Sequence, residues 1–303
     1  MPSPRHFITL REFSPAELVG LLRDAARLKR TRARGPRTDL AGRTLAMVFD
    51  KMSARTRVSF EVAMTELGGH SIYLDRAQIR LGERESVADV GRVLSRYVHG
   101  IAVRTGPQAV AEALAAHSTV PVINALTDDL HPCQALADVF TLQERFGRLR
   151  GLRLAFVGDG NNVARSLAIL ARPLGFSLVL ASPPAYRFPA AFLATLGRGA
   201  GAISWVEDPA RAVRDADAVY TDTWTSMGQE DEAAKRRLAF RAYQVNPRLM
   251  ALSPKRAIFM HCLPAHRGEE VTDDVIDSAR SAVWDQAENR LHAQKAVLLK
   301  LLS

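Results

Sequence analysis

Cysteine and long apolar runs are scarce in this sequence, and both absences limit the class of protein. Among 303 residues there are two cysteines, Cys133 and Cys262, with no CxxC pair and no Cys/His cluster at zinc spacing. This argues against a disulfide scaffold and a structural zinc site. No apolar run approaches the roughly 18–20 residues of a membrane span, and the N-terminus lacks the apolar stretch of a secretory signal. We therefore expect a cytoplasmic protein with no membrane partner.

Lysine is also scarce, so the positive charge is carried by arginine. Only six of the 41 basic residues are lysines, and with 32 acidic residues the formal net charge is +9. A basic balance suits anionic ligands, from phosphorylated metabolites to nucleic acid. The densest basic run, 29–37, has no interleaved aromatic residues of the kind that stack on single-stranded bases. We therefore expect no nucleic-acid partner, and the charge remains compatible with phosphorylated metabolites.

Hydrophobic periodicity predicts that the first half of the chain is a parallel α/β domain. Ser14-Pro15-Ala16-Glu17 places a capping serine, a proline and a glutamate where helices begin, so we expect a helix from there towards Lys29. Short apolar runs then alternate with longer amphipathic ones, the pattern of a parallel sheet covered by helices. The predicted strands lie near 44–49, 70–74, 100–104 and 121–124, and the predicted helices near 56–67, 86–97, 107–116 and 132–146.

The segment 147–151, Gly-Arg-Leu-Arg-Gly, interrupts this alternation and predicts a domain boundary. We therefore predict two doubly wound parallel-sheet α/β domains, 1–146 and 151–285, with N- and C-terminal helices packing across them. A last amphipathic stretch predicts a helix at 286–303 that returns to the first domain. The strands of the second domain are predicted near 152–157, 177–181, 202–206, 217–221, 257–260 and 281–284.

Polar groups crowd the predicted strand ends of the first domain. The first strand is followed by Ser53-Ala54-Arg55-Thr56-Arg57, at a strand-to-helix turn whose free N–H groups and dipole favour an anion. Arg104 ends another strand at the ligand-binding edge of an open sheet. His131 precedes a helix-starting proline, and Gln134 follows one turn later, so either side chain could donate to a carbonyl oxygen. Solvated arginines and a simple helix cap remain the ordinary alternatives.

The second domain offers a glycine-rich turn that does not fit a dinucleotide site. In Gly158-Asp159-Gly160-Asn161-Asn162-Val163 a valine stands where the third glycine is needed, and the next strand ends in Ser-Pro-Pro without an acidic residue for a ribose. This disfavours a dehydrogenase. Asn162, at the predicted N-terminus of the following helix, is then a candidate ligand for a zwitterionic substrate.

Two further strand ends carry chemically useful groups. Asp222 follows the strand at 217–221, and a carboxylate there could hold an ammonium or merely cap the loop. Cys262 follows the strand at 257–260 and could contact an amine and take its proton, although cysteines are often inert core residues. Because all these clusters follow strands at the carboxyl edges of two sheets, together they favour one shared site.

These motifs, in this order, resemble those of the ornithine carbamoyltransferase family. They are Ser53-Ala54-Arg55-Thr56-Arg57, Arg104, His131-Pro132-Cys133-Gln134, Asp222 with Ser226-Met227-Gly228, and His261-Cys262-Leu263-Pro264. The resemblance covers nearly the whole chain. It implies transfer of a carbamoyl group from carbamoyl phosphate to the side-chain amine of L-ornithine, giving L-citrulline and phosphate, with no metal or organic cofactor.

The resemblance also implies a role for each matching residue. Cys262, Arg104 and His131 would be catalytic, with Cys262 contacting the reacting amine. Ornithine would be held by Asn162, Asp222, Ser226 and Met227. Carbamoyl phosphate would be bound by Ser53, Ala54 through its backbone N–H, Arg55, Thr56, Arg104, His131, Gln134, Leu263 and Arg290.

Two positions depart from the family pattern, and two other functions compete. The family usually has threonine in place of Ala54, so one hydroxyl is missing. Family members resemble one another in forming trimers that share a residue between subunits, usually glutamine or histidine, which here falls on Arg80. A homotrimer or a multiple of it is therefore expected. The alternatives are a carbamoyltransferase for another amine, such as N-acetylornithine or putrescine, and an inactive relative, which would have lost Arg55, His131 or Cys262.

Overall fold

Two parallel β-sheets organise the chain, one in each of two compact units. The computed structural model describes residues 4–35, 37–197, 203–226 and 228–303. The first unit runs to Phe140 and takes in Asn289–Ser303, and the second is Thr141–Glu288. The prediction of two parallel-sheet α/β domains is confirmed. None of the helices in the described part of the chain is both long and apolar enough to cross a membrane.

The first sheet has four parallel strands in the order β2-β1-β3-β4. Apolar side chains fill its three buried strands, whereas β2, at the edge, is half exposed. The strands are β1 (Thr44–Phe49), β2 (His70–Asp75), β3 (Gly100–Arg104) and β4 (Val122–Leu126). The helices that begin in this unit are α1 (Pro15–Arg30), α2 (Ala54–Glu66), α3 (Arg76–Ile79), α4 (Val87–Leu94), α5 (Gln108–His117) and α6 (Pro132–Phe146).

The second sheet has five parallel strands in the order β7-β6-β5-β8-β9. Its strands are β5 (Arg153–Val157), β6 (Ser177–Ala181), β7 (Ile203–Val206), β8 (Ala218–Thr221) and β9 (Ile258–His261). The remaining helices are α7 (Asn162–Leu174), α8 (Ala190–Thr195), α9 (Pro209–Val213), α10 (Ala233–Phe240), α11 (Pro247–Ala251), α12 (Asp273–Ile276) and α13 (Val283–Leu302). Short 3₁₀ turns occupy Arg32–Arg34, Pro184–Tyr186, Glu230–Glu232 and Arg241–Tyr243.

The predicted strand at 281–284 is wrong. Only one bridge forms there, between Ser281 and Phe259, and α13 begins at Val283. The amide of Gln286 already donates to Ala282 in helical fashion. Ala282 and Val283 are buried, so the short apolar run marks the covered first turn of a helix, which periodicity alone does not distinguish from a strand.

Each sheet has one point at which the direction of strand succession reverses. The chain proceeds from β1 to β2 on one side and returns to β3 on the other, and likewise leaves β5 for β6 and returns to β8. Ligands of open parallel sheets bind outside the carboxyl ends of the strands at such points. The two points lie beside the ends of β1 and β3 in the first unit and of β5 and β8 in the second.

Candidate active site

The turn after β1 forms a polar cradle in the first unit that is suited to an anion. Ser53 caps α2, since its hydroxyl oxygen accepts from the backbone N–H of Thr56 at 3.3 Å. The Ser53 hydroxyl donates to Oγ1 of the fully buried Thr56 at 3.0 Å, and Nη2 of Arg290 donates to the same oxygen at 2.7 Å. A guanidinium therefore lies against the N-terminal turn of a helix, where N–H groups and the dipole attract negative charge.

Arg104 is fixed beside this turn by the neighbouring strand. It ends β3 with 5% of its surface exposed, and its Nε donates to the Lys51 carbonyl at 3.1 Å. The amide of Asp50 donates to the Arg104 carbonyl at 2.9 Å, and the Thr105 hydroxyl donates to the Asp50 carboxylate at 2.8 Å. Because these contacts join the loops after β1 and β3, Arg104 is held at the carboxyl edge of the sheet.

His131 is a neutral donor or acceptor at the start of α6. Burial, together with the positive charges of Arg290 and Arg104, holds the pKa of His131 well below its usual range. The imidazole is therefore uncharged at neutral pH, and it carries one N–H and one lone pair. An uncharged imidazole between two arginines can donate to an oxygen that becomes negative during a reaction.

Gln134 presents an amide oxygen one turn further along α6. Its Nε2 donates to Asp138 Oδ1 at 2.8 Å, and because a carboxylate only accepts, this contact fixes the orientation of the amide. Gln134 is fully buried, and among the described residues its Oε1 has no hydrogen-bond partner. That oxygen is suited to accept from an N–H group. The adjacent Cys133 is inert, because burial raises the pKa of its thiol to about 12.

In the second unit Asp222 and Cys262 form one cluster at the ends of β8 and β9. The Cys262 thiol donates to Asp222 Oδ1 at 2.9 Å, and the backbone N–H of Thr223 donates to the same oxygen at 2.8 Å. The other carboxylate oxygen accepts from Asn161 Nδ2 at 2.7 Å. A carboxylate and a thiol in contact can bind an ammonium and receive a proton from it.

Two further predicted ornithine ligands, Asn162 and Ser226, lie among the described residues of this unit. Asn162 is the first residue of α7, next to Asn161. Ser226 lies on the loop after β8, and its backbone N–H donates to Gln229 Oε1 at 3.2 Å. Met227 lies outside the described residues.

His261, the residue before Cys262, forms a buried pair with Glu270. His261 Nδ1 accepts from the backbone N–H of Leu263 at 2.8 Å, so Nε2 carries the proton and donates to Glu270 Oε1 at 3.1 Å. Both side chains are fully inaccessible to solvent. Leu263 itself adopts a left-handed conformation, with φ 57°. The imidazole thus fixes the backbone that follows Cys262.

Within the described ranges, two groups of side chains bring potential metal ligands together. The ligand atoms of Asp222, His261 and Cys262 lie within 4.8 Å of one another, as do those of His266, Glu269 and Glu270. Both ring nitrogens of His261 already hold hydrogen bonds, and the Glu270 oxygen that His261 uses also accepts from the His266 amide at 2.6 Å. A cation in the first group would have to displace a contact of His261. In the second group the other oxygen of Glu270, Oε2, is buried and has no hydrogen-bond partner among the described residues.

Three predicted carbamoyl phosphate ligands are exposed within the first unit. Ala54 and Arg55 occupy the first turn of α2, at its surface. Arg80 is exposed at the end of α3, where it adopts a left-handed conformation with φ 42°. These positions are compatible with ligand or subunit contacts, and their roles stay predictions.

Asn161, Glu270 and Arg236 hold this site together, and none of the three is predicted from the sequence. Arg236 is buried in α10 and donates to the Trp224 carbonyl and to Asp159, with its guanidinium 4.8 Å from the Tyr186 ring centroid. Burial raises the pKa of Asp159, against the opposing charge of Arg236. Arg236 therefore ties the loop after β8 to the turn after β5. An arginine amid scattered basic residues gives no sequence signal of this role, whereas Asn161 beside Asn162 could have been considered.

Comparison with known proteins points to a single family. Residues 5–144 match the model of the aspartate/ornithine carbamoyltransferase carbamoyl-P binding domain, and residues 150–301 match its Asp/Orn binding domain. An ornithine carbamoyltransferase of Methanoculleus marisnigri is 48% identical over 301 residues, which are 99% of this chain and 97% of that protein. The structure of ornithine carbamoyltransferase from Pyrococcus furiosus has a TM-score of 0.95 and 50% identity, covering 99% of this chain and 97% of that one. An acetylornithine transcarbamylase complexed with acetylcitrulline has a TM-score of 0.87 and 33% identity, covering 98% and 99%.

Proposed function

The chain belongs to the aspartate/ornithine carbamoyltransferase family, and from this we propose that it transfers the carbamoyl group of carbamoyl phosphate to the side-chain amine of L-ornithine. The products are L-citrulline and phosphate. The observation that carries the proposal is the pair of buried arginines, Arg104 and Arg290, beside the uncharged imidazole of His131. Such a group suits a substrate with both a phosphate and a carbonyl oxygen.

The first unit binds carbamoyl phosphate. The phosphate lies at the N-terminus of α2, where Ser53, Thr56, Arg55 and the backbone N–H of Ala54 contact it, with Arg104 alongside. Gln134 Oε1 accepts from the carbamoyl NH₂ group, in keeping with the orientation that Asp138 gives the amide. The arginine charges also stabilise phosphate as it leaves.

The chemical step forms a C–N bond and breaks the bond between the carbamoyl carbon and the phosphate oxygen. The carbonyl oxygen becomes negative as the amine attacks, and an N–H of neutral His131, with Arg104, stabilises that charge. The attacking nitrogen must be uncharged, and it loses one further proton as the bond forms. The contact between Cys262 and Asp222 supplies groups that can hold the amine and accept a proton.

The second unit binds ornithine. Asp222 is 9% exposed and attracts an ammonium group, while Asn162, Ser226 and Met227 hold the rest of the amino acid. N-acetylornithine suits an acidic site less well, because acetylation turns its α-ammonium, one of the two positive charges of ornithine, into a neutral amide. Putrescine lacks the carboxylate that an asparagine amide would bind.

We further propose that the enzyme acts as a homotrimer or a multiple of it. Arg80 then reaches the carbamoyl phosphate of a neighbouring subunit. Its exposure in the first unit supports this, as does the capacity of arginine to pair with phosphate through two donors.

A panel of amines tests the proposed reaction. Purified protein is given carbamoyl phosphate with L-ornithine, N-acetyl-L-ornithine, putrescine or L-aspartate, and both phosphate release and the carbamoylated amine are measured. The expected result is rapid product formation with L-ornithine alone. If another amine is carbamoylated as fast as L-ornithine or faster, the proposal that ornithine is the substrate is wrong.

A further inference from the structure

Asn161 lies between a helix terminus and the carboxylate that receives the substrate amine. Its Oδ1 accepts from the backbone N–H groups of Val163 and Ala164, both at 3.1 Å, and so caps α7. Its Nδ2 donates to Asp222 Oδ2 at 2.7 Å. One side chain therefore uses its acceptor for the helix and its donor for the carboxylate.

We propose that Asn161 is a positioning residue for ornithine, which acts by holding the Asp222 carboxylate in its binding orientation. This inference rests on the proposed function, because it takes Asp222 as the group that receives the substrate ammonium. Asn161 needs no contact with substrate to exert this effect.

The hydrogen bonds around Asp222 explain why one more donor matters. Asp222 Oδ1 accepts two hydrogen bonds, one from the Cys262 thiol and one from the backbone N–H of Thr223. Asn161 is the donor on the other oxygen. With both oxygens held, the carboxylate plane is fixed; without Asn161 the group can rotate away from the thiol, and its second oxygen must find another donor.

Capping alone does not account for the residue type at this position. Serine, threonine, aspartate and asparagine all cap helices well. Asparagine differs in carrying an N–H donor opposite its capping oxygen. An aspartate here would set a second carboxylate against Asp222, in a region where Asp159 already adds negative charge.

The test replaces Asn161 by serine, which keeps a capping oxygen but is too short to replace the amide donor. The matched control is Asn246→Ser at the N-cap of α11, where Asn246 accepts from the Leu249 amide at 3.0 Å. We expect Asn161→Ser to raise the ornithine KM about tenfold or more, because a carboxylate that can rotate loses its charged hydrogen bond to the substrate ammonium. The carbamoyl phosphate KM should stay within about twofold, and Asn246→Ser should leave both constants within about twofold, because neither change touches the phosphate cradle.

A second readout does not depend on enzymatic activity. The alkylation rate of Cys262 by iodoacetamide is measured against pH, with Cys133 silent because burial raises the pKa of its thiol to about 12. We expect the profile of Asn161→Ser to move to lower pH than wild type, since the carboxylate no longer stays against the thiol. Asn246→Ser should keep the wild-type profile. If Asn161→Ser fails to fold, Asn161→Thr, which also caps, replaces it.

An unchanged ornithine KM or an unchanged alkylation profile in the folded Asn161 variant would overturn the proposal. An equal response to Asn246→Ser would also overturn it, because a general capping defect would then explain the data. Should the wild-type protein carbamoylate no amine, the proposed function fails separately, and the alkylation profiles still decide whether Asn161 positions Asp222.

Discussion

Nη2 of Arg290 donates a hydrogen bond to the Thr56 hydroxyl at 2.7 Å across 234 positions of sequence. Thr56 belongs to the first turn of α2, and Arg290 to the C-terminal helix α13. Both side chains are buried, so the guanidinium charge acts at short range on whatever the helix terminus binds. Through this contact the C-terminal helix contributes a side chain to the carbamoyl phosphate site that we propose at the N-terminus of α2.

Arg290→Gln should weaken carbamoyl phosphate binding and shift the pH dependence of the reaction. Loss of a charged donor predicts a carbamoyl phosphate KM raised by about tenfold or more, with a smaller effect on ornithine. Because the Arg290 charge lowers the pKa of His131, its removal raises that pKa. The neutral imidazole is lost as pH falls through this pKa, so the acidic limb of the kcat profile should move to higher pH. Steady-state kinetics from about pH 5.5 to 8 check both effects, and an unmoved acidic limb would exclude His131 as the group responsible.

Ala54→Thr should strengthen carbamoyl phosphate binding. The added hydroxyl supplies a donor at the exposed first position of α2, and one hydrogen bond to a charged group corresponds to a KM lowered by about tenfold. The ornithine KM should stay nearly constant. Initial rates with each substrate varied in turn measure the change. A raised carbamoyl phosphate KM would mean that a neighbouring side chain already fills the space.

Cys262→Ser should lower activity while the protein stays folded. The thiol contacts Asp222, and serine keeps a donor there but loses the polarisable, more acidic group. Wild-type Cys262 should also react selectively with alkylating agents and be protected by ornithine. Cys133→Ala is the control, since the buried Cys133 should contribute no alkylation. Unchanged kcat and ornithine KM in Cys262→Ser would refute a functional thiol.

Arg80→Ala and Cys262→Ala should complement each other if subunits share their sites. Each variant alone is expected to be inactive, and subunit exchange should restore activity where one chain supplies Arg80 and its neighbour supplies Cys262. Activity is followed before and after exchange, with each variant exchanged against itself as the control. A fully active Arg80→Ala variant would contradict the proposal that Arg80 binds carbamoyl phosphate in a neighbouring subunit. Mixtures that stay inactive would place each site within one chain.

Local patterns in the sequence predicted most of the strands and the polar residues that stand at their ends. Buried parallel strands are short apolar runs between amphipathic ones. Ser53 lies in the turn after β1, Arg104 ends β3, and Asp222 follows β8 directly. Parallel strands end at one edge of a sheet, so Ser53 and Arg104 are expected at one edge of the first sheet, and Asp222 at the corresponding edge of the second. The strand predicted at 281–284 failed because a buried helix start has the same apolar character.

Contacts between residues that are far apart in the chain could not be predicted from the sequence. Asn161 and Asp222 are 61 positions apart, and only the pairing of β5 with β8 brings them together. Glu270 is one acidic residue among many until the fold buries it against His261. A polar side chain that acts by holding another residue, as these two do, produces no recognisable spacing of residues in the sequence.

Transfer of a labelled carbamoyl group tests the central claim most directly. Carbamoyl phosphate enriched in ¹³C at the carbamoyl carbon is incubated with the protein and an equimolar mixture of L-ornithine and N-acetyl-L-ornithine, and the products are followed by ¹³C NMR. We predict that the label appears in the ureido carbon of L-citrulline, with phosphate released in equal amount. Label in acetylcitrulline in place of citrulline, or no ureido carbon above the rate without protein, would contradict the account.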